Sequence, residues 1–408
     1  MFRKERTGLK ACATIIKSDM LRFHTAGESH GQGLVALVQG LPAGVEVDQD
    51  FLNRELRRRQ GGYGRGGRMK IETDTAEILA GVRRGKTTGA PVAMLIRNRD
   101  WENWKDILPV EANAESEEKR KLTAPRPGHA DLAGCLKYDL HDARYILERA
   151  SARESAARVA AGAMAKMLLM RYGIEVWSHA VAVGAVRLTR EVTWEEIKTA
   201  ALQEDALLRC ADAATEAAMK EEVDKAYKTG DTVGGIFEVV ARGVPAGLGT
   251  HANWDERLDG LLAQAVMSLQ AVKAVEIGDG MENAVSFGST VQDPIGYSRE
   301  DQRFTRQRNR AGGTEGGISN GQDIVVRGFL KPISTLRRPL ESADLVTKEK
   351  VEAAYERSDV CVVPAGGVAA ESMVALVIAR CFLEKFGGDS VGEIARNVEG
   401  YRQQLKEF

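Results

Sequence analysis

SARESAARVAAGAMAKMLLMRY, residues 151–172, is a helix by its spacing and a buried one by its composition. Ala156, Val159, Ala160, Ala163, Met164, Met167 and Leu168 cover most of the circumference, leaving no polar face for water. Ser151 and Glu154 have the S-x-x-E spacing of a capping box, and Gly173 is placed to end the helix in the left-handed conformation. One residue breaks the pattern. Arg153 falls in the first turn, where the helix dipole disfavours a cation. A positive charge there calls for an anion partner, and the amides of a helix start already favour one.

The elements on either side are legible in the same way. Leu34 to Val38 reads as a buried strand, stopped by Gly40 and Pro42. Asp50 to Arg59 reads as a helix with Phe51, Leu52 and Leu56 on one face, ended by Gly61-Gly62. Strand-like stretches follow at Met69 to Ile78 and Val92 to Ile96. A second buried helix is expected from Arg257 to Val275. Residues 100–131, with a charge run from Glu115 to Lys121, and residues 296–323 read as long polar loops, the second mobile without ligand. An internal echo links two regions. Gly40-Leu41-Pro42-Ala43-Gly44 and Gly243-Val244-Pro245-Ala246-Gly247 each follow an apolar strand and precede a helix, then Ile71-Glu72 and Glu276-Ile277. Two related halves facing each other about a pseudo-twofold axis are expected, with a site between them.

The 408 residues, 43% hydrophobic and 28% charged, are those of an ordinary globular chain, and the formal net charge of -1 gives no global pull toward nucleic acid or a membrane surface. Five scattered cysteines form no C-x-x-C pair, which argues against a cysteine metal site and suits a reducing, cytoplasmic setting. The longest apolar runs, such as Val374 to Ile378, fall far short of a membrane span. Residues 1–19 read as a disordered leader ahead of a single catalytic domain over 20–408, with Met20 a candidate start.

Six short motifs carry chemistry. In GESHGQG (27–33) glycines expose Ser29 and His30 on a tight loop, where a histidine can act as general acid. Arg57-Arg58-Arg59 sits in a last helical turn, where cations are favoured and usually solvated. Arg65 and Arg68 lie among glycines and suit bidentate grips on phosphate or carboxylate. PRPGHAD (125–131) stiffens the presentation of Arg126 and His129. Arg149 to Arg153, Lys331 to Thr335 and Arg357-Ser358-Asp359 complete the set. Many cations, two histidines and few carboxylates are an inventory for a polyanionic substrate; no metal site is expected, since H-x-x-x-H and clustered acids are missing.

GESHG (27–31), GYGRGGRMKIE (62–72), RPGHADL (126–132), ERASARES (148–155), VEIGDG (275–280), GGISNGQ (316–322), KPIST (331–335) and RSD (357–359) occur in this order, and together they resemble the chorismate synthase family. The resemblance implies a lyase that converts 5-enolpyruvylshikimate 3-phosphate to chorismate by 1,4-anti elimination of phosphate, using reduced FMN without net redox change. It implies an α+β fold, a β-α-β sandwich with internal duplication, in a homotetramer. By motif, His30 is similar to the general acid at the departing phosphate, His129 to the histidine near the flavin, and Asp359 to the aspartate assisting at flavin N5. Ser29, Arg65, Arg68, Arg126 and Arg153 correspond to substrate contacts. Arg149, Ala150, Ser151, Gln270, Ala271, Gly316, Lys331, Pro332, Ile333, Ser334, Thr335 and Arg357 correspond to flavin contacts, and Arg59 and Arg65 to positions associated with NADPH as flavin reductant. The competing readings are a flavin reductase indifferent to the anion, and a polyanion- or RNA-binding module with steep salt dependence. The second leaves the motif histidines unexplained.

Overall fold

The computed structural model describes residues 21–66, 73–111, 120–356 and 359–408. Arg68, Arg357, the leader, the Met69–Glu72 stretch and most of the Glu115–Lys121 run lie outside the described residues. The main elements in chain order are β1 (Arg22–Gly27), β2 (Gly33–Gln39), α1 (Gln49–Gln60), β3 (Glu77–Ala80), β4 (Val92–Arg97), α2 (Arg144–Ala150), α3 (Ser155–Met170), β5 (Glu175–Val183), β6 (Gly235–Arg242), α4 (Leu258–Met267), β7 (Val272–Ile277), β8 (Ile324–Leu330) and α5 (Val363–Phe386).

Two antiparallel sheets organise them. The first runs β1-β2-β4-β3, with Leu34 opposite Ile96 and Val38 opposite Val92. The second runs β7-β8-β6-β5, extended at its edge by Val186–Arg187, with Val326 opposite Val239. α3 packs on β2, α5 packs on β5 and β6, and the two helices pack on each other, with α1 against both. One hydrophobic core unites residues from both sheets and all these helices. α3 and α5 approach so closely at Gly162 that a methyl group there would overlap Ser372. By length and composition α5 could cross a membrane, but 83% of its most apolar window is buried, and here it is the central core helix.

The two G-x-P-A-G turns are built alike. Gly40 and Gly44 have φ of 84° and 90°, Gly243 and Gly247 of 85° and 96°, values that favour glycine. Thr87 Oγ1 donates to the Pro42 carbonyl at 2.6 Å and accepts from Val45 N–H at 2.9 Å. Ser319 Oγ donates to the Pro245 carbonyl at 2.6 Å and accepts from Leu248 N–H at 2.8 Å.

Several sequence expectations need correction. The capping box does not form. Ser151 Oγ accepts from Arg153 N–H, a 3-10 turn covers Ala152–Glu154, and α3 starts at Ser155. Glu154 turns instead to Thr25 Oγ1 at 2.6 Å, Arg158 Nε at 2.8 Å and Gln270 Nε2 at 3.1 Å. The Arg257–Val275 helix stops at Met267. Ala271 adopts φ of 67°, and the β-branched Val272, Val275 and Ile277 join a strand. Leu34, Ala36 and Val38 are buried, but Val35 is 37% exposed, so β2 is covered on one face only. Residues 296–323 hold two small hairpins, Ile295–Ser298 with Arg303–Arg306 and Thr314–Glu315 with Ile318–Ser319. Residues 100–131 hold a 3-10 turn, Arg99–Asn103, ahead of the buried Trp104.

The arginine triplet is only partly solvated. Arg58 is 4% exposed and meets Glu371 Oε1 at 2.7 Å and Glu55 Oε2 at 2.9 Å. Lys166 closes this buried cluster, contacting Glu55 at 2.6 Å and also Glu371. Two acids and two bases neutralise one another, and Glu371 also accepts from Ser178 N–H at 2.8 Å, tying α1, α3, α5 and β5 together.

Candidate active site

A cavity of about 910 Å3 opens between the β1–β2 loop, the 3-10 turn at the start of α3, the Ile333–Thr335 segment and the start of α5. Among the described residues its lining holds Arg59, Arg65, Arg120, Arg126, Arg144 and Arg153, with His30, His129 and Asp359.

His30 is held from α2. Glu148 Oε2 accepts the His30 backbone N–H at 2.7 Å, and Oε1 lies 2.9 Å from His30 Nδ1. The ring stacks on Trp104, centroids 4.0 Å apart and planes 26° apart. Arg120 and Arg144 lie over the same indole at 4.5 and 5.2 Å. Burial would raise the Glu148 carboxyl, but its contacts with His30 and the charge of Arg144 outweigh that and hold it below the ordinary glutamate value. Glu28 shows the opposite: burial first, and the nearby Glu148 charge second, raise it.

His129 has an analogous partner. Its Nδ1 makes a short contact with Asp131 Oδ1, and Arg126 Nη2 stands 3.0 Å away. Asp131 also receives Arg126 Nε at 2.8 Å and Nη2 at 3.0 Å, while Arg126 Nη1 reaches Thr335 Oγ1 at 3.0 Å. Against burial, these bonds from His129 and Arg126 pull the Asp131 carboxyl well below the usual range. Asp359 accepts Gly66 N–H at 2.6 Å and lies 3.4 Å from Arg65 Nη1.

Arg153 has its anion within the chain, contrary to the expectation that a ligand must supply it. Nη1 meets the buried Asp74 at 2.6 Å, and Nε and Nη2 donate to Asn98 Oδ1 at 3.0 and 2.9 Å. Arg59 shares that Asp74 oxygen at 3.4 Å and donates to Ser155 Oγ at 2.8 Å. Burial lowers the Arg59 guanidinium strongly; Asp74 only partly restores it, and Arg153 and Arg65 repel it further. Arg59 and Arg153 thus share a single carboxylate, Asp74.

Of the other expected positions, Ser29, Ser151, Gln270, Ile333, Ser334 and Thr335 line the cavity. Ala150, Ala271, Gly316, Lys331 and Pro332 are not in the lining. Arg149 turns toward β1, donating to the Thr25 carbonyl at 2.9 Å, and Lys331 Nζ bonds the Gly128 carbonyl. Sequence reasoning missed Trp104, Arg120, Arg144, Glu148, Asp74 and Asn98. Tryptophan in a polar stretch was a usable signal for Trp104; the others depend on contacts remote in sequence.

A pocket crowded with guanidiniums, bearing two histidines each set against a carboxylate, defines an enzyme for a small polyanion rather than a binding surface. The family model described as chorismate synthase matches residues 21–383. Relatives named chorismate synthase from Solibacter usitatus and Acidobacterium capsulatum are each 65% identical, over 389 and 394 residues, 95% of this chain and 100% of theirs. A solved structure titled as the crystal structure of chorismate synthase is 41% identical, with a TM-score of 0.76, covering 95% of this chain and 99% of that one. The chain belongs to the chorismate synthase family. It is accordingly a lyase of aromatic amino acid biosynthesis, acting at the last step of the shikimate pathway.

Proposed function

We propose that the cavity binds 5-enolpyruvylshikimate 3-phosphate beside reduced FMN and releases phosphate by 1,4-anti elimination, leaving chorismate. The observation that carries this reading is the pairing, in one cavity, of two carboxylate-tethered histidines with six arginines, two of which share the single carboxylate of Asp74. A polyanion eases the repulsion between those crowded cations, and neutralising the phosphate makes it a better leaving group.

His30 protonates the departing phosphate oxygen through Nε2, since Nδ1 faces Glu148. Arg65, Arg68 and Ser29 hold the substrate's anionic groups. Arg126 and Arg153, already oriented by Asp131 and Asp74, contribute fixed positive charge. His129 and Asp359 manage the ring proton. The residues present fit a flavin: Leu269, Leu330, Ile333, Val362 and Ala365 form an apolar wall, Ser334 and Thr335 offer hydroxyls at its edge, and the volume lies at the upper end of the roughly 300–1,000 Å3 usual for such sites. When bound, the reduced flavin supplies the electron-rich partner that loss of the ring proton requires. Ser151, Gln270, Ile333, Ser334 and Thr335 would hold it, with Arg149, Ala150, Ala271, Gly316, Lys331 and Pro332 contributing from outside this lining and Arg357 assigned by motif alone; Arg59 and Arg65 would meet NADPH where the flavin is reduced in place.

The architecture we propose for the whole is a single catalytic unit over residues 20–408, a β-α-β sandwich of two halves related by a pseudo-twofold axis. The like strand orders of the two sheets and the like bonding of the two G-x-P-A-G turns support it. A homotetramer suits the exposed Val285, Phe287, Ile295, Phe304 and Phe408. One assay tests the activity: anaerobic phosphate release with dithionite-reduced FMN, compared with NADPH plus oxidised FMN. Release in the first arm is expected; none in either arm would overturn the reading, and release in the second would add flavin reduction.

A further inference from the structure

Glu148 touches the histidine loop at three points. Its carboxylate takes the His30 backbone N–H at 2.7 Å and faces His30 Nδ1 at 2.9 Å, and its backbone carbonyl accepts Ser29 N–H at 2.9 Å. The side chain is 2% exposed, so water does not compete for these bonds. Arg144, one turn earlier on α2, has Nη1 3.6 Å from the same carboxylate and supplies part of its countercharge. Trp104 packs flat on the ring. The carboxylate fixes rotation of the imidazole and the indole fixes its tilt.

We propose that Glu148 is a positioning residue that selects the Nδ1–H form of His30 and so reserves Nε2 for proton transfer into the cavity. An ionised carboxylate only accepts hydrogen bonds, so the nitrogen facing it must carry hydrogen in the neutral ring. When a doubly protonated His30 gives up one proton, the Nε2 proton leaves and the other stays on Nδ1, hydrogen-bonded to the Glu148 carboxylate. The bond broken is Nε2–H, the bond formed is O–H on the leaving phosphate, and the ring ends neutral. This rests on the reading of His30 as the proton donor. A purely architectural Glu148 would anchor residues 29–30 without governing the tautomer.

The test uses the full chain labelled with 15N-histidine. With six histidines in the sequence, the His30 signals are identified by their loss in His30→Gln. Long-range proton–nitrogen spectra should show the Nδ1–H form in the parent chain. In Glu148→Gln, whose amide can donate to Nδ1, they should show an Nε2–H or mixed form. In the same variant kcat for phosphate release with reduced FMN should fall at least tenfold, with KM changed less than threefold. Glu148→Asp keeps the charge; it should retain the Nδ1–H form and recover part of kcat, and it serves if Glu148→Gln does not fold. An unchanged tautomer in Glu148→Gln overturns the proposal, whatever the rate. Full activity in His30→Gln removes the proton-donor reading instead, leaving the tautomer result to stand by itself.

Discussion

His30 and His129 each set Nδ1 against a buried carboxylate. His30→Ala and His129→Ala should each slow phosphate release at least tenfold, the low end of acid–base contributions; full activity in either would refute its assignment. Arg59 presents a different balance. Its charge is disfavoured by burial and by two neighbouring cations, so the folded protein carries a cost that an anion removes. Arg59→Met should therefore leave the melting temperature unchanged or higher, while weakening substrate binding at least tenfold by titration calorimetry. A melting temperature lowered by several degrees with unaltered affinity would mean that Arg59 is a structural cation.

Elements meet through two kinds of contact, close approach and buried charge. α3 and α5 touch at Gly162, where any side chain meets Ser372. Gly162→Ala should destabilise by about 1–3 kcal/mol through overpacking, read from urea unfolding; a neutral result would show that the helices can separate freely. The cluster of Arg58, Glu371, Glu55 and Lys166 joins the same helices through charge. Glu371→Leu leaves Arg58 and Lys166 short of a partner and should cost about 3–5 kcal/mol. Both contacts support the cavity directly, since Ala365, Gly366 and Ala369 of α5 line it and Arg59 follows Arg58.

Across the molecule, carboxylates are the groups that fix cations and histidines, and their acidity follows. Burial raises Asp131, Glu148, Glu154 and Glu371, yet in each the hydrogen bonds and charges of their partners win and the folded value lies below the unfolded one. Such groups stabilise the fold above their unfolded values near about 4, and that contribution is lost as pH falls through the folded values. Urea midpoints should hold on this account from neutral pH to about 5 and drop steadily below about 4. A midpoint constant from pH 5 to pH 3 would contradict these shifts.

Local pattern carried the helices and motifs because periodicity, glycine spacing and composition are properties of neighbours in the chain. The sequence by itself determined that a buried helix lies within residues 151–172, which the structure narrows to Ser155–Met170, that His30, Arg65, Arg126, His129 and Asp359 belong to one cationic site, and that the chain resembles chorismate synthases. It could not show who neutralises whom. Arg153 seemed to need a ligand because Asp74 lies 79 positions away, and Glu148 meets His30 across 118 positions. The same distance effect misdirected Glu154, whose partners Thr25 and Gln270 outcompeted the local cap. Hydrogen bonds and ion pairs depend on proximity in space, so only the tertiary packing that brings α2, α3 and the β1–β2 loop together decided which charges pair within the cavity.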